Sequence, residues 1–304
     1  MYIGFDTSNY TTSLATYDGK TVRQAKQVLI VKQGERGLRQ SDAVFQHTVN
    51  MPRLCKELEL DVPKAVGVST RPRNVEGSYM PCFLVGENVA TVLSSVNDVP
   101  VYKTSHQVGH ILAALYSANM LELINQRFIA FHLSGGTTET LIVEPDDEEI
   151  IKATVVAQST DLKAGQAVDR TGVMLGMTFP CGKELDALSQ KSEKNYKIKP
   201  TMLDGDCSLS GVENKARNMI DKGEPAQDVA KFVLTYIAET VSSMLGGVVG
   251  KYGDLPVVFS GGVASNSLLR KIINERYKAY FAESEFSLDN AAGTAIYAYL
   301  KDNR

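Results

Sequence analysis

Short apolar runs, each followed by turn residues, alternate along this chain with longer segments in which apolar residues recur every three or four positions. The short runs predict strands and the longer segments predict helices, because side chains alternate between faces in a strand and return to one face about every 3.6 residues in a helix. The predicted strands are residues 2–5, 12–17, 22–31, 64–70, 99–102, 127–133, 139–144, 151–157 and 256–260. The predicted helices are about residues 82–96, 106–119, 162–175, 225–250 and 265–279, with a last helix that begins within "LDNAAGTAIYAYL". This alternation predicts an α/β protein whose helices cover its sheets.

One pattern occurs twice along the chain. Residues 1–19, "MYIGFDTSNYTTSLATYDG", and residues 127–147, "RFIAFHLSGGTTETLIVEPDD", both read as a strand, a turn rich in Ser, Thr and Gly, and a second strand. Their separation of about 126 residues is too long for a solenoid repeat and suits a duplicated lobe. The sequence therefore predicts two related lobes, whose hairpins would form a cleft if they faced each other.

Turns rich in small residues are candidate ligand sites. The backbone N–H groups and hydroxyls of such a turn can hold phosphate oxygens, although a plain hairpin turn has the same composition. A third turn of this kind, Ser260-Gly261-Gly262, stands between a predicted strand and a predicted helix. Glycine there would let a ligand approach the backbone close to a helix N-terminus.

Two of the four histidines stand four residues apart at the start of a predicted helix. His106 and His110 would share one helix face and could reach one ion, and neutral imidazoles suit Zn or Fe. The alternative is a histidine that caps the helix beside a second histidine in the core. A metal would need a further ligand, and Asp289 at the start of the last helix offers a carboxylate, unless it serves only as an N-cap.

Composition narrows the setting without identifying the chemistry. With 304 residues and 43% hydrophobic content, the chain can bury sizeable cores. Its four cysteines form no C-x-x-C pair, which argues against a disulfide framework and suits a reducing, cytoplasmic setting. No signal sequence and no apolar run of about 18 residues is evident, so no membrane segment is expected.

Because the net charge is −3, nucleic-acid binding would need a local basic patch, for which residues 191–199 and Lys32, Arg36 and Arg39 are candidates.

Six motifs in a fixed order carry a resemblance to a known family. They are His-x-x-x-His after a strand, "LSGG", "AGQAVDRTGVMLGMTFPCG", "SLSGVENKA", "SGGVASNSLLR" and "LDNAAG". In this order and spacing, from Ile3 to Ala292, the chain resembles the TsaD-type tRNA threonylcarbamoyladenosine synthase family, formerly called glycoprotease or O-sialoglycoprotein endopeptidase. Each motif alone is unspecific, and the specificity comes from their joint order.

The resemblance implies a fold and an activity. The fold would be a two-lobed ASKHA fold, of the actin, sugar-kinase and Hsp70 type, with duplicated RNase H-like lobes. The lobes would be residues 1–105, completed by the C-terminal helix 290–304, and residues 106–289. Family enzymes transfer a threonylcarbamoyl group from threonylcarbamoyl-AMP to the exocyclic nitrogen of an adenosine next to the tRNA anticodon. By resemblance, this chain is expected to be a metal-dependent transferase that uses an acyl-adenylate.

The same resemblance implies site residues, cofactors and partners. The metal, Fe or Zn, would be held by the expected catalytic residues His106, His110 and Asp289. An adenine nucleotide or acyl-adenylate would be bound by Leu133, Ser134, Gly135, Gly136, Thr137, Asp169, Gly182, Gly261, Gly262 and Asn266. Asp169 could bind ribose hydroxyls, or could instead form a surface ion pair with Arg170 or Lys163. The expected partners are tRNA, or a related amine acceptor, and a hetero-oligomer with a related ASKHA subunit and a small ATPase.

The chain departs from the family pattern near the expected reacting end. The first hairpin reads "DTSNYTT", with Tyr10 and Thr11 at two positions that are acidic in the family. Thr137 replaces the histidine of the second hairpin. Gln166 and Cys181 replace a glutamate and a glycine, and "RPRNVEG" replaces a glycine-rich turn. These changes leave the expected metal ligands and most of the adenylate pocket in place, which predicts a divergent member with low or altered activity.

Two other functions fit parts of the sequence. A non-catalytic, nucleotide-binding ASKHA subunit of a tRNA-modification complex is favoured by the missing acidic residues, but such a scaffold has little need of three metal ligands. A metallopeptidase follows from the older family name. However, the chain has no H-E-x-x-H motif, and Gln107 after the first histidine provides no general base. The transferase is therefore the leading prediction.

Overall fold

The computed structural model describes residues 1–8, 10–31 and 38–304. Lys32 and Arg36, which the sequence suggests as part of a basic patch, lie outside the described residues. The strands are β1 (Tyr2–Asp6), β2 (Thr11–Tyr17), β3 (Val22–Val28), β4 (Ala65–Arg71), β5 (Val101–Ser105), β6 (Phe128–Leu133), β7 (Thr138–Asp146), β8 (Ile150–Gln158), β9 (Thr201–Leu203), β10 (Asp206–Ser208), β11 (Val257–Ser260) and β12 (Ala279–Phe281). The α-helices are α1 (Gln40–Glu57), α2 (Phe83–Asn97), α3 (His106–Ser117), α4 (Ala164–Met174), α5 (Gly182–Ser189), α6 (Ser210–Asp221), α7 (Ala226–Tyr252), α8 (Ser267–Asn274), α9 (Ser284–Ser287) and α10 (Ala292–Asp302).

Contacts divide the chain into two compact units. Unit 1 contains Met1–Ile124, Pro145–Lys152 and Leu288–Arg304, and unit 2 contains Asn125–Glu144 and Ala153–Ser287. The boundary predicted from the sequence differs, because it assigns α3 and the segment before α10 to the second lobe. Both belong to unit 1 because α3 packs directly against α10.

Unit 1 is built on a five-stranded sheet with the order β3-β2-β1-β4-β5. β1, β2 and β3 pair antiparallel, whereas β4 runs parallel to β1 and β5 runs parallel to β4. Every residue of β1 is buried, because helices cover both faces of the sheet. Ile3 and Phe5 share a core with Met51 and Leu54 of α1, while Gly4 on the opposite face lies against α10.

Unit 2 repeats this architecture around its own core. Its sheet has the order β12-β11-β6-β7-β8, in which β6 and β7 pair antiparallel and β11 runs parallel to both β6 and β12. The long helix α7 packs Val233, Ile237 and Leu245 into the core. By length and composition α7 could cross a membrane, contrary to the expectation that the chain holds no such segment, but most of its apolar stretch is buried within the unit.

The two sheets share one strand order, with a hairpin at the start of each unit and parallel strands added on one side. The predicted duplication of the β1–β2 hairpin as the β6–β7 hairpin is thereby confirmed, as is the α/β class. The helices α1, α5, α6 and α9 and the short strands β9, β10 and β12 are not predicted by the hydrophobic pattern.

Helix α10 approaches its neighbours in unit 1 to the distance of backbone contact. A Cβ at Gly293 would overlap the carbonyl oxygen of Gly109 in α3, and a Cβ at Gly67 in β4 would overlap the carbonyl oxygen of Thr294. Glycine is therefore required at these positions for steric reasons rather than for a special backbone conformation. This packing fixes the start of α10, and with it the preceding residue Asp289, relative to α3.

We expect Gly293→Ala to lower the free energy of unfolding by about 2 kcal/mol or more, because the new methyl group meets backbone atoms and overpacking typically costs about 1–3 kcal/mol. Gly109→Ala is the matched control on the other side of the same contact. Its Cβ would meet Thr294 Cγ2 at an ordinary 3.5 Å, and Ala favours the helix by up to about 1 kcal/mol. Chemical denaturation of both variants is the measurement, and wild-type stability of Gly293→Ala would contradict the packing argument.

Candidate functional site

The N-terminus of α3 presents two histidines side by side. Ser105 caps the helix, because its hydroxyl accepts a hydrogen bond from the Val108 N–H at 3.2 Å. His106 is consequently the first helical residue, and His110 follows one turn later on the same face. The two imidazole rings lie edge to face with their centroids 4.3 Å apart. Both rings can therefore offer a nitrogen to the same point.

Asp289, in the segment before α10, lies against both histidines. The distance from His110 Nε2 to Asp289 Oδ1 is 3.2 Å, and that from His106 Nε2 to the same oxygen is 3.6 Å. One ligand atom from each of the three side chains lies within 4.8 Å of the others. Two imidazole nitrogens and a carboxylate oxygen are a donor set that suits Zn or Fe and leaves coordination positions open. Among the described residues, this group fits a divalent metal.

Charges around His106 determine its protonation. Burial alone would lower the pKa of His106, but the charge of Asp6 and hydrogen bonds with Asp289 and Asp6 raise it to about 10. Burial also opposes ionisation of Asp289, yet hydrogen bonds and charges from His106 and His110 hold the pKa of its carboxyl well below the ordinary value. The two carboxylates thus favour the protonated form of His106, and a metal would compete with a proton for this imidazole.

Asp6, the last residue of β1, holds His106 from the side opposite Asp289. Its carboxylate is 1% exposed. Oδ2 accepts hydrogen bonds from His106 Nδ1 at 2.8 Å and from the Ser69 hydroxyl at 2.7 Å, and Oδ1 accepts one from the Ser8 N–H at 2.9 Å. The sequence motifs do not single out Asp6 or Ser69. The available signal is that both stand at the carboxyl ends of neighbouring buried strands, where polar side chains of an α/β protein gather.

Tyr10 and Thr11, which occupy the acidic positions of the family motif, lie at the start of β2. Thr11 is buried, and its hydroxyl donates to Asp289 Oδ2 at 3.4 Å. Tyr10 is 41% exposed. Thr11 therefore contacts a candidate metal ligand, but neither residue supplies a carboxylate that could accept a proton.

In unit 2, the β6–β7 turn packs against two other segments that contain glycine. The Gly165 N–H in the first turn of α4 donates to the Ser134 carbonyl oxygen at 3.1 Å. Gly261 has a φ of 92°, which favours glycine, and a Cβ there would overlap the Leu133 carbonyl oxygen. These contacts bring together the predicted turn Leu133-Ser134-Gly135-Gly136-Thr137 and the turn at Gly261.

Three glycines of these turns border open space. A Cβ at Gly135, Gly136 or Gly262 would meet no atom within 4 Å. The backbone at these positions can be approached closely by a ligand, as expected of a turn that binds phosphate oxygens through N–H groups. The packing of unit 2 leaves room for a side chain at each of these three positions, so it does not explain why they are glycine.

Two of the other predicted binding residues, Asp169 and Asn266, have structural roles. Asp169 Oδ1 accepts a hydrogen bond from the Cys181 N–H at 2.9 Å and so holds the start of α5, whose first residue is Gly182. Asn266 caps α8, because its Oδ1 accepts from the Leu269 N–H at 2.9 Å. Binding of a nucleotide by Asp169, Gly182 and Asn266 stays a prediction.

Two arginines in the segments that resemble or replace family motifs form ion pairs with glutamates. Arg71, the first residue of the "RPRNVEG" segment, forms an ion pair with Glu149 at 3.1 Å within unit 1. Arg170 forms an ion pair with Glu213 at 2.8 Å within unit 2, where the sequence suggested Asp169. Arg71 and Arg170 therefore have carboxylate partners inside their own units.

Solved structures identify the class of fold. The chain is similar to component A of the (R)-2-hydroxyglutaryl-CoA dehydratase of Acidaminococcus fermentans, with 16% identity and a TM-score of 0.58 over 100% of this chain and 99% of that one. It is also similar to full-length HypF, with 13% identity and a TM-score of 0.60 over 99% of this chain and 55% of that one. This chain is thus an ASKHA-fold protein, as the sequence motifs predicted.

Sequence relatives identify the family within that class. Residues 46–296 match the TsaD family, tRNA N6-adenosine threonylcarbamoyltransferase. The tRNA N6-adenosine threonylcarbamoyltransferase of Kosmotoga olearia is 31% identical over 232 residues, which are 73% of this chain and 68% of that one. The enzyme of the same name from Thermosipho africanus is 28% identical over 321 residues, 98% of this chain and 93% of that one. The chain belongs to the TsaD family and is a divergent, TsaD-like enzyme within it.

We expect the purified protein to contain about one Fe or Zn per chain, and we expect His110→Ala to lose it, because the variant removes one of three converging ligands. His132→Ala is the matched control, since this histidine lies in unit 2 beside Ser260. Metal analysis of the three proteins is the measurement. Unchanged metal content in His110→Ala would overturn the assignment.

We expect ATP, ADP or AMP to bind the wild type and to bind Gly262→Val at least about tenfold more weakly, because the valine side chain would occupy the open space beside the turn. Gly250→Val in α7 is the control, since a Cβ there also meets no atom within 4 Å. Titration calorimetry measures both. If the wild type binds none of the three nucleotides, the glycine turns are not a nucleotide site.

Proposed function

We propose that this chain is a metal-dependent transferase that moves a threonylcarbamoyl group from its acyl-adenylate to the exocyclic nitrogen of a tRNA adenosine. The observation that carries the proposal is the convergence of His106, His110 and Asp289 in a chain of the TsaD family. Family membership supports the transfer to tRNA. The metal, the acyl-adenylate and the named residues are what the proposal adds.

The proposed reaction makes modest chemical demands on the protein. An acyl-adenylate is a mixed anhydride and is already activated, so the protein must chiefly hold it, polarise its carbonyl group and align the attacking amine. A bond forms between the adenosine nitrogen and the carbamoyl carbon, the bond from that carbon to the phosphate oxygen breaks, AMP leaves, and the amine loses a proton. A divalent metal held by His106, His110 and Asp289 would supply Lewis-acid polarisation or orient the threonyl end.

The adenylate would be held by unit 2. Its β6–β7 turn and the turn at Gly262 offer backbone N–H groups beside open space. Asp169 uses Oδ1 to hold α5, and we propose that its second carboxylate oxygen accepts from ribose hydroxyls. Asn266 and Gly182, at the N-termini of α8 and α5, would contribute to the same ligand.

The proposed partners follow from the family. We infer that tRNA is the acceptor and that the chain works in the cytoplasm, in a hetero-oligomer with a related ASKHA subunit and a small ATPase. Within the basic stretch 191–199, Lys191, Lys197 and Lys199 are exposed and could meet phosphates. Lys194 instead forms ion pairs with Asp228 at 2.9 Å and with Glu224 at 3.4 Å.

A second function is favoured by one observation. Tyr10 and Thr11 place a phenol and a hydroxyl where the family motif has acidic residues, and only Thr11 contacts the candidate metal group through Asp289. A chain that binds ligand without efficient proton transfer would serve as a nucleotide-binding ASKHA subunit of a tRNA-modification complex. The two functions differ in whether this chain itself catalyses the transfer.

We expect weak or absent threonylcarbamoyl transfer to tRNA by the wild type and a gain of activity in Tyr10→Asp/Thr11→Glu. A positioned acid or base typically contributes about 10²- to 10⁴-fold to the rate. Single-turnover transfer from threonylcarbamoyl-AMP to unmodified tRNA, with and without the partner subunits, is the measurement. Tyr10→Asn/Thr11→Gln is the matched control, because it has the same shapes without the charges.

The three outcomes separate the functions. Full activity of the wild type would show that these acidic residues are dispensable and that the chain is an ordinary transferase. Gain of activity only in the charged variant would identify a divergent transferase with its binding framework preserved. Inactivity of both, with nucleotide still bound, would favour the non-catalytic subunit or a different amine acceptor.

A further inference from the structure

We propose that Asp6, held by Ser69, is a positioning residue for the metal ligand His106. It fixes the imidazole with a proton on Nδ1, so that Nε2 is the nitrogen directed towards Asp289 and available to a metal. This inference rests on the proposed function, because it concerns how the ligands of the proposed metal are oriented.

The two nitrogens of His106 face different carboxylates. Nδ1 lies 2.8 Å from Asp6 Oδ2, whereas Nε2 lies 3.6 Å from Asp289 Oδ1. An ionised carboxylate can only accept hydrogen bonds, so the nitrogen facing Asp6 at close range must keep its proton. The hydrogen bond made by one ring nitrogen determines which nitrogen can bind a metal. Asp6 therefore directs a metal to Nε2 of His106.

Asp6 can perform this role because its own carboxylate is immobilised. The Ser69 hydroxyl at 2.7 Å and the Ser8 N–H at 2.9 Å approach it in addition to His106. The parallel pairing of β1 with β4 places Asp6 and Ser69 at neighbouring strand ends, and the carboxylate is 1% exposed. Because both oxygens are occupied by these donors, Asp6 acts on the site through His106 rather than as a ligand.

The hydrogen bonds also show why an amide could not replace this carboxylate. Oδ1 accepts from Ser8 while Oδ2 accepts from both Ser69 and His106. An asparagine side chain has one acceptor oxygen and one NH₂ donor. In Asp6→Asn, the NH₂ group would therefore point at an N–H or O–H donor that now bonds to a carboxylate oxygen. If the NH₂ group faced His106, the ring would have to move its proton to Nε2, which is the nitrogen that the metal needs.

The test uses Zn²⁺ alone as the probe, titrated against a competing chelator into metal-stripped full-length protein. We expect Asp6→Asn to bind Zn²⁺ about 10- to 100-fold more weakly than the wild type, the usual effect of removing such a partner. In Zn²⁺-loaded protein, long-range ¹H–¹⁵N NMR should show His106 protonated on Nδ1 in the wild type and a changed or mixed state in Asp6→Asn. Asp18→Asn is the matched control, since Asp18 also accepts backbone N–H bonds but lies at the far end of β2.

The outcomes separate this inference from the proposed metal site. If the wild type binds Zn²⁺ and folded Asp6→Asn binds it equally well with Nδ1 of His106 still protonated, the role of Asp6 is refuted while the metal site stands. If the wild type binds no Zn²⁺, both ideas fail.

If Asp6→Asn does not fold, Ser69→Ala decides, because it keeps the carboxylate and removes one of its supports. We expect several-fold weaker binding and faster exchange of the His106 Nδ1 proton in Ser69→Ala, and wild-type values of both would refute the proposal.

Discussion

The contact of α10 with α3 at the level of their backbones is the constraint on which unit 1 depends. Helix α10 also contacts β1, since the Tyr2 hydroxyl donates to the Asp302 carboxylate at 3.0 Å. Glycines stand where α10 approaches β1, β4 and α3, and a methyl group at Gly4, Gly67 or Gly293 would overlap backbone atoms across the contact. Larger residues in place of these glycines would move α10 away from its neighbours, and Asp289 would then move away from the histidines of α3. The candidate metal site is therefore a consequence of how closely two helices pack.

Within that site, carboxylates alternate with imidazoles. Asp6, His106, Asp289 and His110 form a row in which each imidazole lies beside a carboxylate. Removing these groups from water is costly, and mutual pairing offsets much of that cost. A divalent cation held by His106, His110 and Asp289 would displace a proton from His106 and bring two positive charges in its place, which the carboxylates of Asp6 and Asp289 would offset.

The hydrophobic pattern predicts the elements that carry a simple period and misses those that do not. The hairpin β1–β2 and the helix α3 could be predicted from the sequence because their apolar residues form continuous runs. Helix α1 was not, because its buried stripe includes Ala43 and His47 and its interior contains Pro52, which weakens any helical signal. For the site, motif order pointed to the histidines and Asp289. Asp6 and Ser69 could not be found in this way, because their roles depend on which strands become neighbours in space.

The position of Asp289 late in the chain has a consequence for biosynthesis. Unit 2 is complete once residue 287 has been made, whereas unit 1 requires Leu288–Arg304 to cover a sheet whose strand β1 is synthesised much earlier. Chains grow from the N-terminus at about 5–20 residues per second, and contacts between distant segments form late. On the ribosome, the face of β1 that carries Gly4 must therefore wait for α10 long after α1 is available to cover Ile3 and Phe5 on the other face. A nascent chain holds both histidines but lacks Asp289, so the complete ligand set arises only with the last helix and a truncated chain would be unable to assemble it.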